Sequence, residues 1–196
     1  MFLGRRKIKK AGGVAPTPFE ENVAQEIYNI EVNHSGLKAD LYPLHITAAR
    51  EVESDGKSAV LLFVPFTQLA AYNKIQKSLV EELEKKFTDS HVLIVANRTM
   101  LGKAWKRNAA NKGPIPRSRT LKVVQESLLD DVVYPSQIVG KQTVLKTDGS
   151  KVMNVFLDPK EQVQLENKLD TFATVYKALT AKDVRFQFAS SRGGRS

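Results

Sequence analysis

The chain has 196 residues, a net charge of +9 and no cysteine. That length can bury a sizeable core and defaults to one domain. The missing thiols exclude a disulfide frame, a thiolate nucleophile and a Cys-ligated zinc site.

Residues 1–18 read as a flexible basic arm ending in Pro16-Thr-Pro18. Phe19, Val23, Ile27 and Ile30 then recur on one face of a helix, which Asn33-His-Ser-Gly36 ends. Leu37 to Leu44 is at most a short helical turn, because Pro43 interrupts it. Ile46–Glu53 and Lys57–Val64 predict two strands joined at Asp55-Gly56, a pair that supplies the positive φ angles of a tight hairpin turn. Leu61 to Val64 is apolar throughout, so this strand should be buried on both faces. After Pro65 a helix is expected over Thr67–Phe87, with Tyr72, Ile75, Leu79, Leu83 and Phe87 as its core stripe.

Val92–Ala96 is a further buried strand, and the basic segment leaves from it. Thr120 is placed to N-cap a helix that carries Leu121, Val124, Leu128 and Val132 and ends at Tyr134-Pro135. Ile138–Thr147 and Lys151–Leu157 form a second hairpin around Asp148-Gly149. Asp158, Pro159 and Glu161 then open a helix whose stripe is Leu165, Leu169, Phe172, Tyr176 and Leu179, which suits core packing. Val184, Phe186 and Phe188 alternate as a last strand, and a polar tail runs over 189–196. The expected fold is a single α/β domain over 19–188. It has a mixed sheet of about six strands including two β-hairpins, about four helices and a long basic loop over 98–120.

Charge is segregated along the chain. Residues 1–19 carry +5, residues 92–125 carry +8, and the remainder, with 17 basic and 21 acidic residues, carries −4. Such segregation marks an arm and a loop that bind a polyanion, attached to a mildly acidic body. The central cations are Arg98, Lys103, Lys106, Arg107, Lys112, Arg117, Arg119 and Lys122; no acid occurs between Asp89 and Glu126. Gly102, Gly113, Pro114 and Pro116 break any helix there. A loop kept only for solubility would mix both signs of charge. This one repels itself and should order against nucleic acid. Trp105 sits among the cations, where an indole can stack on an unpaired base or pack back on the domain. Arg117 and Arg119 lie beside the expected N-terminus of the Leu121 helix, an end that favours phosphate. In the arm the candidate RNA contacts are Arg5, Arg6, Lys7, Lys9 and Lys10.

Catalytic patterns are missing. Gly56-Lys57-Ser58 lacks the glycine that a phosphate-binding loop needs, since Glu51 holds that place, and a strand follows it. His34, His45 and His91 have no metal-ligand spacing, and Asp130 and Asp131 point to different faces of a helix. No enzyme, cofactor, metal or small-molecule substrate is expected. No apolar run reaches membrane-spanning length, and no secretory signal is expected at the start.

Six blocks resemble one family: Ile46-Thr-Ala-Ala-Arg-Glu-Val-Glu53, Phe63-Val-Pro65, Leu83-Glu-Lys-Lys-Phe87, Pro116-Arg-Ser-Arg-Thr-Leu121, Tyr134-Pro-Ser-Gln-Ile-Val-Gly-Lys141 and Val175-Tyr-Lys177 with Thr180-Ala-Lys-Asp-Val184. In order and spacing they are similar to the eukaryotic-type protein seven of the small ribosomal subunit, which is unrelated to the bacterial-type protein of that numeral. The resemblance implies a cytoplasmic structural protein that binds small-subunit ribosomal RNA and neighbouring ribosomal proteins. It also implies a nucleolar stage, alongside assembly factors, while the subunit is built and its RNA matured. Arg117 and Arg119 fall inside a matching block. The alternative class is a basic adaptor for acidic proteins outside the ribosome.

Overall fold

A computed structural model describes residues 3–54, 57–88, 90–102, 104–108, 110 and 113–189. Six strands and seven helices follow in chain order. They are α1 (Pro18–Asn33), α2 (Ser35–Leu41), β1 (Ala48–Ser54), β2 (Lys57–Pro65), α3 (Leu69–Lys86), β3 (Ser90–Asn97), α4 (Ala104–Arg107), α5 (Leu121–Val133), β4 (Ile138–Leu145), β5 (Lys151–Leu157), α6 (Gln162–Leu165), α7 (Leu169–Thr180) and β6 (Asp183–Phe188). Five of the helices are longer than a single turn. The six expected strands are present and mixed in direction, and they divide into two sheets of three, β1-β2-β3 and β4-β5-β6. Each sheet is an antiparallel hairpin with a third strand added in parallel. In the first hairpin Ser54 faces Lys57, which leaves two residues for the turn; Asp55 and Gly56 themselves lie outside the described residues. In the second, Gly149 takes φ 77°, a conformation that glycine adopts without steric cost.

β2 shows why an unbroken apolar run was needed. Val60, Leu62 and Val64 pack into one core with Val23, Ile27, Tyr72, Leu79 and Leu83 of α1 and α3. Ala59 and Leu61 face a second core with Leu129 and Val132 of α5, Phe172 and Tyr176 of α7, and Val155 and Phe186 of the other sheet. β3 divides in the same way, Val92 and Ile94 to the first core and Leu93 and Val95 to the second. Each fully buried Leu- or Val-sized side chain contributes about 1.5–3 kcal/mol. The first sheet is therefore the central layer, covered by helices α1 to α3 on one face and by α5, α7 and the second sheet on the other. β4 is the exposed edge of that second sheet, with Val139 and Leu145 in solvent.

Three local expectations are corrected. Leu121 is exposed, and α5 instead buries Val124, Leu129, Val132 and Val133. Thr120 occupies the N-cap position without capping, because its hydroxyl donates to the carbonyl of Arg117 at 2.7 Å. The helix expected from Asp158 onward is staged as two single 3-10 turns and α6 before α7 begins; Asp158 caps only the first turn, accepting from the Lys160 N–H at 3.1 Å.

The arm over residues 1–18 was expected to stand free of the body. Over its described part it is docked instead. Residues Leu3–Lys7 form a 3-10 turn against α1, and Ile8 makes a parallel bridge to Ile46. Gly4 permits the approach: a Cβ there would lie 2.8 Å from the Gln25 backbone. Polar contacts complete it, because Arg5 pairs with Glu21 at 3.2 Å, Lys7 with Glu31 at 2.5 Å and Lys10 with Glu20 at 2.6 Å.

Glu20 links arm, helix and sheet. The Thr17 hydroxyl accepts from the Glu20 N–H, and the Glu20 carboxylate accepts from the Thr17 N–H, a capping box with Pro18 at the first helical position. The same carboxylate accepts from the Ala49 N–H at 3.4 Å. Burial pushes Glu20 upward, but Lys10 and the two backbone donors outweigh it and hold the carboxyl below its usual range. Thr17→Ala should lower stability by about 1 kcal/mol, read as a shift in the urea midpoint at constant slope.

Candidate nucleic-acid interface

The parallel strands β2 and β3 end side by side, Pro65 opposite Asn97. Phe66 follows one and Arg98 the other. The Arg98 guanidinium lies 5.5 Å from the centre of the Phe66 ring. Behind it the Asp131 carboxylate accepts from both terminal nitrogens, the Nη2–Oδ1 contact being 2.9 Å, and also from the Ala96 N–H at 3.0 Å. The side chains of Arg98 and Asp131 are 12% and 8% exposed. Arg98 was expected to contact RNA. In this structure its fork is filled by a buried carboxylate. Asp130, next in sequence to Asp131, faces outward to Lys141, as expected of helix neighbours.

The segment that leaves here returns to the same point. The Leu101 N–H donates to the Arg119 carbonyl at 3.0 Å, so the excursion is closed at its root. Inside it, Trp105 lies half-buried on the single turn α4, its backbone N–H donating to the Gly102 carbonyl at 3.1 Å. Lys106 belongs to the same turn, and Arg107 is exposed at its end. Lys103 and Lys112 lie outside the described residues. Arg117–Arg119 form an exposed 3-10 turn abutting α5, with Lys122 exposed in the first turn of that helix. Among the described residues, Arg107, Arg117, Arg119 and Lys122 have no carboxylate partner.

The first turn of α5 holds no acid, and Thr120 turns its hydroxyl away from the helix. The leading N–H groups of the helix therefore lack a side-chain acceptor and face the same solvent as Arg117 and Arg119. Oriented N–H groups, partial positive dipole and two guanidinium forks together suit a phosphate.

In the arm, Arg5, Lys7 and Lys10 were also expected to contact RNA. Lys7 is buried, and besides pairing with Glu31 its ammonium donates to the carbonyls of Leu41 at 2.6 Å and Tyr42 at 3.4 Å. Lys10 and Arg5 are engaged by Glu20 and Glu21. Arg6 and Lys9 are exposed and have no carboxylate partner among the described residues.

Two exposed aromatics escaped the sequence reading. Phe66 is 63% exposed and Tyr42 66% exposed, and an arginine lies over each ring. The signal was positional: Phe66 belongs neither to the β2 alternation nor to the α3 stripe, and Tyr42 follows the last residue of α2.

Residues 7–188 match the family described as ribosomal protein S7e. The chain belongs to the ribosomal protein S7e family. Small ribosomal subunit protein eS7 of Drosophila melanogaster is 48% identical over 184 residues, spanning 93% of this chain and 94% of its own length. Proteins of the same name from Anopheles gambiae and from the plant Avicennia marina are 46% and 45% identical, over 93% and 96% of the chain and 95% and 98% of their own lengths. These relatives are ribosomal proteins and not enzymes, as the sequence patterns implied. No helix among the described residues is long and apolar enough to cross a membrane.

Proposed function

We propose that this S7e-family chain is a structural constituent of the small ribosomal subunit and binds ribosomal RNA through its basic segment. The observation that carries the reading is the root of that segment: an exposed Arg117-Ser118-Arg119 turn without acids, fixed at Leu101 and set against the open N-terminus of α5. Arg107 and Lys122 extend the cationic surface, and Lys103, Lys106 and Lys112 add to the charge of the segment in the sequence. Trp105 and the exposed Phe66 supply ring faces for unpaired bases. The units of this reading are an α/β domain over 19–188, an arm over 1–18, a basic segment over 98–120 and a tail over 189–196. The mildly acidic body and the exposed β4 edge serve neighbouring ribosomal proteins. Work in the cytoplasm follows a nucleolar stage, in which the chain joins subunit assembly and RNA maturation with assembly factors.

Filter binding of the full chain to small-subunit ribosomal RNA at one salt concentration tests this. Arg117→Ala with Arg119→Ala should cost about 1–3 kcal/mol, the value of charge-assisted hydrogen bonds. It should exceed the cost of Lys103→Ala with Lys106→Ala, which removes equal charge without the fixed fork geometry. Arg→Lys at both positions should recover only part. Equal losses from the two double variants would reduce the segment to a diffuse cloud of charge.

A further inference from the structure

Three of the five arm cations are neutralised by α1 carboxylates. The other two, Arg6 and Lys9, have no carboxylate partner among the described residues, and they line one cavity of about 370 Å³ together with Glu31, Tyr28, Tyr42 and His45. That volume lies in the range of small-ligand sites, about 300–1,000 Å³. The cavity is fixed on both sides. The Lys9 N–H donates to the Ile46 carbonyl at 2.9 Å and the Ile46 N–H to the Lys7 carbonyl at 2.7 Å, which pins the arm backbone. On the other side, the His45 N–H donates to Gln68 Oε1 at 3.2 Å. The Arg6 guanidinium lies 6.0 Å from the Tyr42 ring centre, while most of that ring remains in solvent.

We infer that this cavity is a second RNA contact that binds one unpaired nucleotide, its phosphate at Lys9 and Arg6 and its base against the Tyr42 ring. The inference rests on the RNA-binding reading above and adds a site separate from the basic segment. Phosphate needs cations that no carboxylate has already claimed, and here the chain leaves two at one place. A base needs an aromatic face in solvent, and sequence-tolerant stacking beside an arginine is how single strands are held. The local field agrees. The His45 imidazole is held below its usual range, first by burial and then by the charges of Lys9 and Lys7, against the carbonyl of Pro43. Lys7 is balanced by Glu31, so the uncompensated charge acting on His45 is that of Lys9. An incoming anion is favoured in such surroundings.

The full chain, with isotope-labelled Tyr and His rings, is titrated with adenosine 5′-monophosphate and separately with inorganic phosphate. The mononucleotide should shift the Tyr42 ring resonances, and both probes should shift His45. Lys9→Ala should weaken both probes. Tyr42→Ala should weaken the mononucleotide about five- to tenfold, the scale of one stacked base, and leave phosphate alone, with Tyr42→Phe retaining the tight binding. Phosphate binding as tightly as the mononucleotide, with Tyr42 unmoved, would leave an anion site without a base platform and overturn the assignment. So would silence with both probes, or a phosphoserine peptide that binds more tightly than the mononucleotide. The wild-type titrations stand even where a variant fails to fold. The same variants in the ribosomal RNA assay separate the two ideas. Loss with the Arg117 and Arg119 pair but none with Lys9→Ala or Tyr42→Ala overturns the pocket alone. An unmodified chain that does not bind the RNA overturns the broader reading.

Discussion

Arg98→Ala is expected to destabilise the fold by about 3–5 kcal/mol, the cost of removing one partner from a buried ion pair. The cause lies in what Asp131 keeps. In the intact protein its carboxylate receives both guanidinium nitrogens and the Ala96 N–H. After the substitution only the backbone donor remains, and the carboxylate is 8% exposed, too buried for water to replace the fork. For a chain of this size each kcal/mol lowers the melting temperature by about 2–4 °C, so a large shift is expected. Arg98→Lys should recover part, since an ammonium cannot meet both carboxylate oxygens at once. Arg98→Met with Asp131→Leu should be much milder than either single change, because no buried charge is left unpaired. Ribosomal RNA affinity, measured on folded protein well below the melting transition, should not change. A variant of ordinary stability that loses RNA affinity as Arg117→Ala does would return Arg98 to the interface.

Arg98 shows where sequence reading stops. Its charge and its place at the head of a basic run were plain, but its partner lies 33 residues away on the opposite side of the segment. Charge sign is local information; charge pairing is tertiary information. The central sheet was legible because the middles of β2 and β3 are buried on both faces and are apolar throughout, so Leu61 to Val64 and Val92 to Ala96 admitted few other readings. The hairpins were legible from their Asp-Gly turns. That the strands close as two sheets was not, since strand partners across sheets leave no local mark. The arm failed for a different reason. Beside the packing of Ile8, what holds it is polar or steric: Gly4 against Gln25, Lys7 with Glu31, Lys10 with Glu20. Hydrophobic periodicity cannot register such contacts. The available signal was Thr17-Pro18 with Glu20, a helix start directly ahead of the apolar stripe that begins at Phe19.

Lys7 and Lys9 turn that distinction into a second strong expectation, because they stand two residues apart and face opposite tasks. Lys7 is 3% exposed, and its ammonium is shared among the Glu31 carboxylate and the carbonyls of Leu41 and Tyr42. Lys7→Ala leaves Glu31 buried without its cation and two carbonyls without their donor, so a loss of about 3–5 kcal/mol is expected. Lys7→Met keeps the packing of the stem and should still lose most of that, which assigns the effect to the ammonium rather than to a cavity. Glu31→Gln with Lys7→Met removes both charges and should recover much of the deficit. Lys9 is exposed and has no ion pair among the described residues. Lys9→Ala should therefore change stability by no more than about 0.5 kcal/mol, as surface substitutions away from special features do. Urea unfolding of the three single variants and the double variant decides the point. A Lys7→Ala protein as stable as Lys9→Ala would mean that the arm is not seated on α1, and the cavity it builds with Tyr42 and His45 would go with it.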